Sequence, residues 1–103
     1  MPFPSLAFVD LETTGATATA DRITEVGIIE VDEDGVREWS TLVNPRTPIS
    51  PFIESLTGIS NAMVADAPAF EDVAAEVLQR LAGRLFIAHN ARFDYGFLKN
   101  EFK

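Results

Sequence analysis

Residues 6–12 read Leu-Ala-Phe-Val-Asp-Leu-Glu, an apolar run that ends in two carboxylates. The run from Leu6 to Leu11 suits a β-strand buried on both faces. Side chains two apart in a strand share a face, so Asp10 and Glu12 project together from its C-terminal end. Paired anions repel and raise each other's proton affinity unless a cation sits between them. Carboxylate oxygens are hard donors, suited to Mg²⁺ or Mn²⁺ rather than to soft metals. Thr13-Thr14-Gly15 follows at once and places hydroxyls and a flexible turn beside the pair. Taken alone, an Asp-x-Glu pair also reads as a solvated strand end.

The rest of the chain supplies a framework for that strand. Ile23–Val31 is a second β-branched run, and Val36–Val43 a third. Asp32-Glu33-Asp34-Gly35 lies between them as a hairpin turn. Pro45, Pro48 and Pro51 mark a loop, after which Ser50 caps and Pro51 opens a short helix that stops at Gly58. Phe70, Val73, Ala74, Val77, Leu78 and Leu81 recur at helical spacing and predict one buried face over about 70–82, closed by Gly83. Leu85–Ala88 reads as a short buried strand. Asn90 is placed to cap a last helix, with Phe93, Phe97, Leu98 and Phe102 facing inward. The order β, β, β, helix, helix, β, helix describes an α/β fold, a mixed sheet flanked by helices.

A chain of 103 residues accommodates one domain. Sixteen acids against eight Lys and Arg give a net charge of −8, which argues against a broad basic nucleic-acid surface and against a polybasic membrane anchor. The lack of cysteine excludes a disulfide framework, a zinc ribbon and thiol chemistry. No signal peptide or membrane-spanning run is legible, and the expected location is cytoplasmic.

The third acid decides the chemistry. Asp94 lies in the first turn of the last helix, where an acid is commonly a helix-dipole partner. If the strand before that helix lies beside the first strand, Asp94 meets Asp10 and Glu12 across the sheet edge. Three converging carboxylates are the minimum for a two-metal site that activates water and stabilises the leaving oxygen of a phosphodiester.

Phe8-Val9-Asp10-Leu11-Glu12-Thr13-Thr14-Gly15 resembles the first motif of the DnaQ-like 3′–5′ exonucleases of the DEDD superfamily. His89-Asn90-Ala91-Arg92-Phe93-Asp94-Tyr95-Gly96-Phe97-Leu98 resembles the second. Arg22–Gly27 and Leu56-Thr57-Gly58-Ile59 are similar to intervening runs of that family, so the resemblance covers nearly the whole chain. It implies a ribonuclease H-like fold with a central first strand, truncated after the second exonuclease motif. By resemblance, Asp10 bridges two metal ions (Mg²⁺ or Mn²⁺), Glu12 binds the first and Asp94 serves the second. Thr14, Gly15 and Ile59 lie where the family holds the terminal nucleotide. The Asp-Leu-Glu-Thr-Thr-Gly form is more similar to the proofreading subunit of bacterial DNA polymerase III than to oligoribonucleases. This points to a single-stranded DNA 3′ end as substrate and to DNA polymerase subunits as partners.

The family also carries a third motif, with a fourth acid preceded by a His or Tyr. Nothing follows Lys103, so the resemblance implies a partial domain over residues 1–103, with little activity of its own. It implies too an uncovered apolar surface near Leu85, Ile87, Phe97 or Phe102 and a tendency to self-associate. His89 reads as a residue that packs or hydrogen-bonds near the site rather than as the base. Glu25 is given no catalytic role, and Arg92 reads as a solvated cation. Glu30, Asp32, Glu33 and Asp34 read as a solvated hairpin tip rather than a calcium loop. Trp39 and the phenylalanines read mostly as core. Two other classes share parts of this pattern. One is a non-catalytic nucleic-acid or protein-binding module of the same fold. The other is a haloacid dehalogenase-like phosphatase, whose further Thr/Ser and Lys have no match in the chain.

Overall fold

The computed structural model describes residues 4–88 and 91–102. Strands β1 (Leu6–Thr13), β2 (Ile23–Asp32) and β3 (Gly35–Leu42) lead to the helices α1 (Pro51–Thr57), α2 (Asn61–Val64) and α3 (Phe70–Leu81). Strand β4 (Leu85–Ala88) and helix α4 (Ala91–Glu101) follow. The strands form one sheet in the order β3-β2-β1-β4, so β1 is interior as expected. β1 pairs antiparallel with β2 and parallel with β4, which makes the sheet mixed.

Each boundary has a local cause. Gly35 turns the β2–β3 hairpin at φ 127°, a conformation closed to most L side chains. The Ser50 side chain accepts the Ile53 N–H at the head of α1, Pro51 fills its first turn, and Gly58 leaves it left-handed at φ 77°. The four-residue α2, capped by the Ser60 hydroxyl accepting the Met63 N–H, escapes the sequence reading because it is too short to show a period. At the head of α3 the Asp72 carboxylate accepts the Ala69 N–H.

Helices α3 and α4 cover one face of the sheet. Ala7, Val9 and Leu11 of β1, Val26 and Ile28 of β2, Phe70 and Val77 of α3, and Phe97 and Leu98 of α4 form the main core. A smaller cluster of Ile49, Ile59 and Val64 packs with Leu42 and Ile53 under α1 and α2. The first strand is therefore not buried on both faces: Phe8 and Asp10 alternate with Val9 and Leu11 and stay exposed. β4 differs from expectation in the same way. It is an edge strand, and Leu85 and Ile87 remain open. Leu78 of α3 is exposed as well, since a helix on a single sheet face buries a narrower stripe than its period allows. The expected uncovered apolar surface is present at Leu85, Ile87 and Phe102, joined by Phe8 and Ile29, whereas Phe97 is buried.

The acidic run also divides. Glu30 is buried on the helix-covered face, where Arg80 and Arg84 both pair with it, and the Arg80 guanidinium lies 4.9 Å from the Trp39 ring centroid. Only the remainder of the run belongs to the exposed hairpin. There the Asp32 carboxylate accepts hydrogen bonds from Arg37 and from the Asp34 backbone, which hold it below the usual carboxylate range.

Candidate active site

The register of β1 fixes where the carboxylates stand. Asp10 and Glu12 project from the open face, Asp10 exposed and Glu12 half-buried. β4 runs parallel to β1 with Ala88 opposite Val9, so the chain leaves β4 beside Asp10 and enters α4. Asp94, one turn into that helix, is buried. It thus approaches the pair from the adjoining strand and helix, as expected for a β4–α4 unit beside β1. Gly27 lies opposite Asp10 in the register, where a Cβ would meet the Asp10 carbonyl oxygen at 3.6 Å.

Electrostatics tie these groups together. The Glu12 carboxyl is pushed above its ordinary value, first by burial, then by the negative charges of Asp10, Glu25 and Asp94 in that order. Glu25, assigned no role from sequence, sits directly across from Glu12 on β2. Like charges directly opposite in a sheet destabilise it by about 0.2–1 kcal/mol. The pair therefore adds nothing to the stability of the metal-free fold. The donor set, all carboxylate oxygen, fits a hard divalent ion. Among the described residues, however, no three Asp, Glu, His or Cys side chains already converge to a ligating group. Asp10 and Asp94 each act on Glu12, but the three are not gathered into a coordination shell.

A proton on Glu12 is bound more tightly in the fold than in the unfolded chain. Its ionisation therefore costs stability as pH rises through the raised folded value, and costs nothing below the unfolded one. Glu12→Gln is accordingly expected to raise the metal-free melting temperature by about 1–5 °C at pH 7–8. The gain should vanish toward pH 4; thermal scans at the two pH values measure it.

The loop after β1 is internally bonded. Thr13 Oγ1 donates to the Gly15 carbonyl at 2.6 Å, and Thr14 Oγ1 donates to Asp21 and accepts from the Arg22 N–H. A depression of about 320 Å³ lies beside it, lined by Leu11, Glu12, Thr13, Gly15 and Ala16 from this side, and by Phe52, Ile53, Leu56 and Thr57 of α1. Phe52 and Leu56 are 70 % and 71 % exposed. They occupy one face of α1 four residues apart, and only Ile53 of that helix joins the core beneath. Of the expected nucleotide residues, Gly15 lines the depression. The Thr14 side chain is engaged within its loop, and Ile59 is buried in the small cluster that seats α1. Phe52 is not singled out from sequence, and Leu56 only as the start of a family-like run, although two apolar residues at i and i+4 on a helix of about two turns are the available signal. His89 and Asn90 lie outside the described residues, as do the side chains of Arg92 and Phe93.

A central strand ending in two acids, a parallel neighbour feeding an acid-bearing helix, and an antiparallel hairpin on the other side define a ribonuclease H-like fold of the nuclease class. The model of the RNase T-type exonuclease family matches residues 7–103, and the chain belongs to that family. It is 42 % identical over 95 residues to a PolC-type DNA polymerase III of Caldanaerobacter subterraneus subsp. tengcongensis, covering 91 % of this chain and 7 % of that protein. It is 44 % identical over 95 residues to the 3′-5′ exonuclease DinG of Bacillus subtilis, covering 90 % of this chain and 10 % of the relative. Among solved structures, exonuclease X in complex with 5′ overhanging duplex DNA aligns with a TM-score of 0.76 at 35 % identity, over 90 % of this chain and 53 % of that one. Product-bound exonuclease I shares the fold, with a TM-score of 0.83 at 22 % identity over 96 % of this chain and 25 % of its own. The chain therefore spans a small fraction of the curated relatives it matches. Among the described residues no helix is long and apolar enough to cross a membrane.

Proposed function

We propose that this chain is part of a metal-dependent 3′–5′ exonuclease domain of the proofreading type, which hydrolyses the phosphodiester bond that holds the last nucleotide at a DNA 3′ end. The observation that carries the reading is the placement of Asp10 and Glu12 together at the end of the interior strand β1, beside the parallel β4 and the helix α4 that bears Asp94. The exonuclease family, to which the chain belongs, supports it. Asp10, Glu12 and Asp94 are the residues to hold two divalent ions, Mg²⁺ or Mn²⁺. Such ions would orient water and stabilise the charge that develops on the scissile phosphate. The net acidic surface is compatible with a DNA substrate, because the acids at the site would meet phosphate through cations.

The terminal nucleotide belongs in the depression beside Glu12. Thr13, Gly15 and Ala16 supply its loop wall, with Thr14 tying that loop from within; Phe52 and Leu56 supply an apolar wall for the base, and Ile59 supports α1 from below. Base contact with an aromatic or apolar platform contributes about 1–3 kcal/mol. Phe52→Ser is therefore expected to weaken binding of thymidine 5′-monophosphate in the presence of Mn²⁺ by about tenfold, read by NMR titration. Its stability should change little, because Phe52 is exposed. Unchanged affinity would move the base elsewhere.

Two readouts test the activity. A 5′-labelled single-stranded oligonucleotide should shorten stepwise from its 3′ end only with Mg²⁺ or Mn²⁺, and not at all with Asp10→Asn. Turnover by the 103-residue chain is expected to be weak, since exposed Phe8, Ile29 and Ile87 leave the face around Asp10 open to water and keep the local dielectric high. Mn²⁺ binding reports the site independently of turnover. The lack of a ligating cluster among the described residues favours a second reading, a non-catalytic binding module of the same fold. DNA binding that persists in Asp10→Ala without any metal would select it. Association with DNA polymerase subunits follows from the proofreading reading and from the PolC-type relative, and a pull-down with a polymerase core tests it.

A further inference from the structure

The loop between β1 and β2 is closed by one side chain that takes no part in the carboxylate group. Asp21 Oδ1 accepts the Thr14 hydroxyl at 3.1 Å, and its Oδ2 accepts the Thr17 N–H at 3.0 Å. The Asp21 N–H in turn donates to the Thr17 carbonyl at 2.7 Å, so the carboxylate sits on a turn made by its own backbone. Thr14 completes the closure: its N–H donates to the Arg22 carbonyl at 2.8 Å and its hydroxyl accepts the Arg22 N–H at 3.0 Å. The carboxylate lies directly over Gly15. A Cβ placed on Gly15 would stand 2.5–2.7 Å from the Asp21 oxygens and 2.6 Å from its Cγ, well inside contact distance. To admit that Cβ the carboxylate would have to move off the two hydrogen bonds that hold it.

The same loop borders two parts of the site. Thr13, Gly15 and Ala16 line the depression beside Glu12. On the other side Ala18 packs into the main core and lies 3.8 Å from where a Cβ on Gly96 would stand, two residues beyond Asp94. Arg22, at the end of the loop, pairs with Glu101 of α4 at 2.9 Å. One exposed loop thus forms a wall of the nucleotide depression and a seat for the helix that bears Asp94.

We infer that Asp21 is a positioning residue for the terminal nucleotide: its carboxylate, accommodated only because residue 15 is glycine, clamps the Thr13–Ala16 wall in the shape that receives the nucleotide. It acts through Thr14 and Gly15 and touches no phosphate or metal itself. The inference rests on the nucleotide depression proposed above. Glycine at position 15 is explained by the space it leaves for the clamp rather than by a left-handed backbone, since its φ is not among the positive values.

The test is a double-mutant cycle on the full chain, read by thymidine 5′-monophosphate titration with Mn²⁺ and, separately, by Mn²⁺ titration alone. Asp21→Ala is expected to weaken nucleotide binding by roughly tenfold, the loss of a charge-accepting hydrogen-bond pair. It should leave Mn²⁺ affinity within about twofold, a split that general destabilisation would not produce. Asp21→Asn, which keeps the shape and one acceptor, should lose less. Gly15→Ala should weaken nucleotide binding as much as Asp21→Ala. The double variant should be no worse than Asp21→Ala alone, because the clash partner has gone. Circular dichroism confirms that each variant folds, and Asp21→Asn carries the test if Asp21→Ala does not. Equal nucleotide affinity in wild type and both Asp21 variants, or strictly additive losses in the cycle, would overturn the positioning role while leaving the depression intact. A wild-type chain that binds Mn²⁺ but no nucleotide would remove the depression itself, and this inference with it.

Discussion

Asp10→Asn is expected to lower Mn²⁺ affinity by about a hundredfold or more and to raise, not lower, the melting temperature of the metal-free chain. Both effects have one origin. Asp10 is the largest charged neighbour acting on Glu12, with Glu25 and Asp94 behind it. Without a cation these charges oppose one another; in the proposed site a divalent ion would be held by Asp10, Glu12 and Asp94. Losing even an outer-shell partner of a bound metal commonly costs ten- to a hundredfold, and a direct ligand costs at least as much. An ion at a hundred times its dissociation constant stabilises the fold by about 2.7 kcal/mol through mass action. The wild type should therefore melt higher with excess Mn²⁺, and Asp10→Asn should lose that increment. Asp94→Asn is expected to behave likewise in Mn²⁺ affinity. Glu25→Gln should reduce affinity only a few-fold, because Glu25 contributes field from the opposite strand rather than a place in the family's motif. Calorimetric titration orders the three variants. If Asp10→Asn and Glu25→Gln lose equal affinity, the metal is held by diffuse charge and the assignment of Asp10 as a ligand is wrong.

The elements that set this arrangement are legible in the sequence for a definite reason. Asp-Gly in the β2–β3 hairpin, Ser50-Pro51 and Gly58 around α1, and Gly83 after α3 act through local backbone chemistry, which needs no knowledge of distant packing. The shared face of Asp10 and Glu12 follows from the two-residue period of a strand alone. What the sequence misplaces is burial. Phe8, Leu78, Leu85 and Ile87 are apolar, yet they lie on surfaces that no other part of the described chain covers, and side-chain chemistry cannot say which face of a sheet receives helices. Glu30 errs in the opposite direction: an acid in a charged run reads as solvated until Arg80 and Arg84, fifty residues on, are seen to meet it. Glu25 escapes for the same reason. Its importance comes from standing opposite Glu12, and register is a property of two strands, not of one.

Phe97→Ala is the substitution with the largest expected effect on the fold, about 3–5 kcal/mol. Phe97 is 1 % exposed and sits where α4 meets the main core, beside Leu98 and within the cluster that includes Phe70 and Val77. Truncation to alanine removes the ring's burial and leaves a cavity in the main core cluster, which relaxes only partially. A domain of this size has about 5–15 kcal/mol in all. The melting temperature should fall by at least about 12 °C. Tyr95→Ala, on the same helix but 58 % exposed, removes only an edge contact with Phe86 and should cost about 1 kcal/mol. The contrast separates packing from helix propensity, because both variants place alanine in α4. The site feels the first change through Asp94, which is buried one turn before Phe97 and on the same side of the helix. Mn²⁺ affinity should therefore drop in Phe97→Ala even at temperatures where the chain remains folded, and stay near wild type in Tyr95→Ala. If Phe97→Ala is destabilised as expected but binds Mn²⁺ normally, α4 docks without contributing Asp94 to the metal, and only Asp10 and Glu12 remain as its ligands.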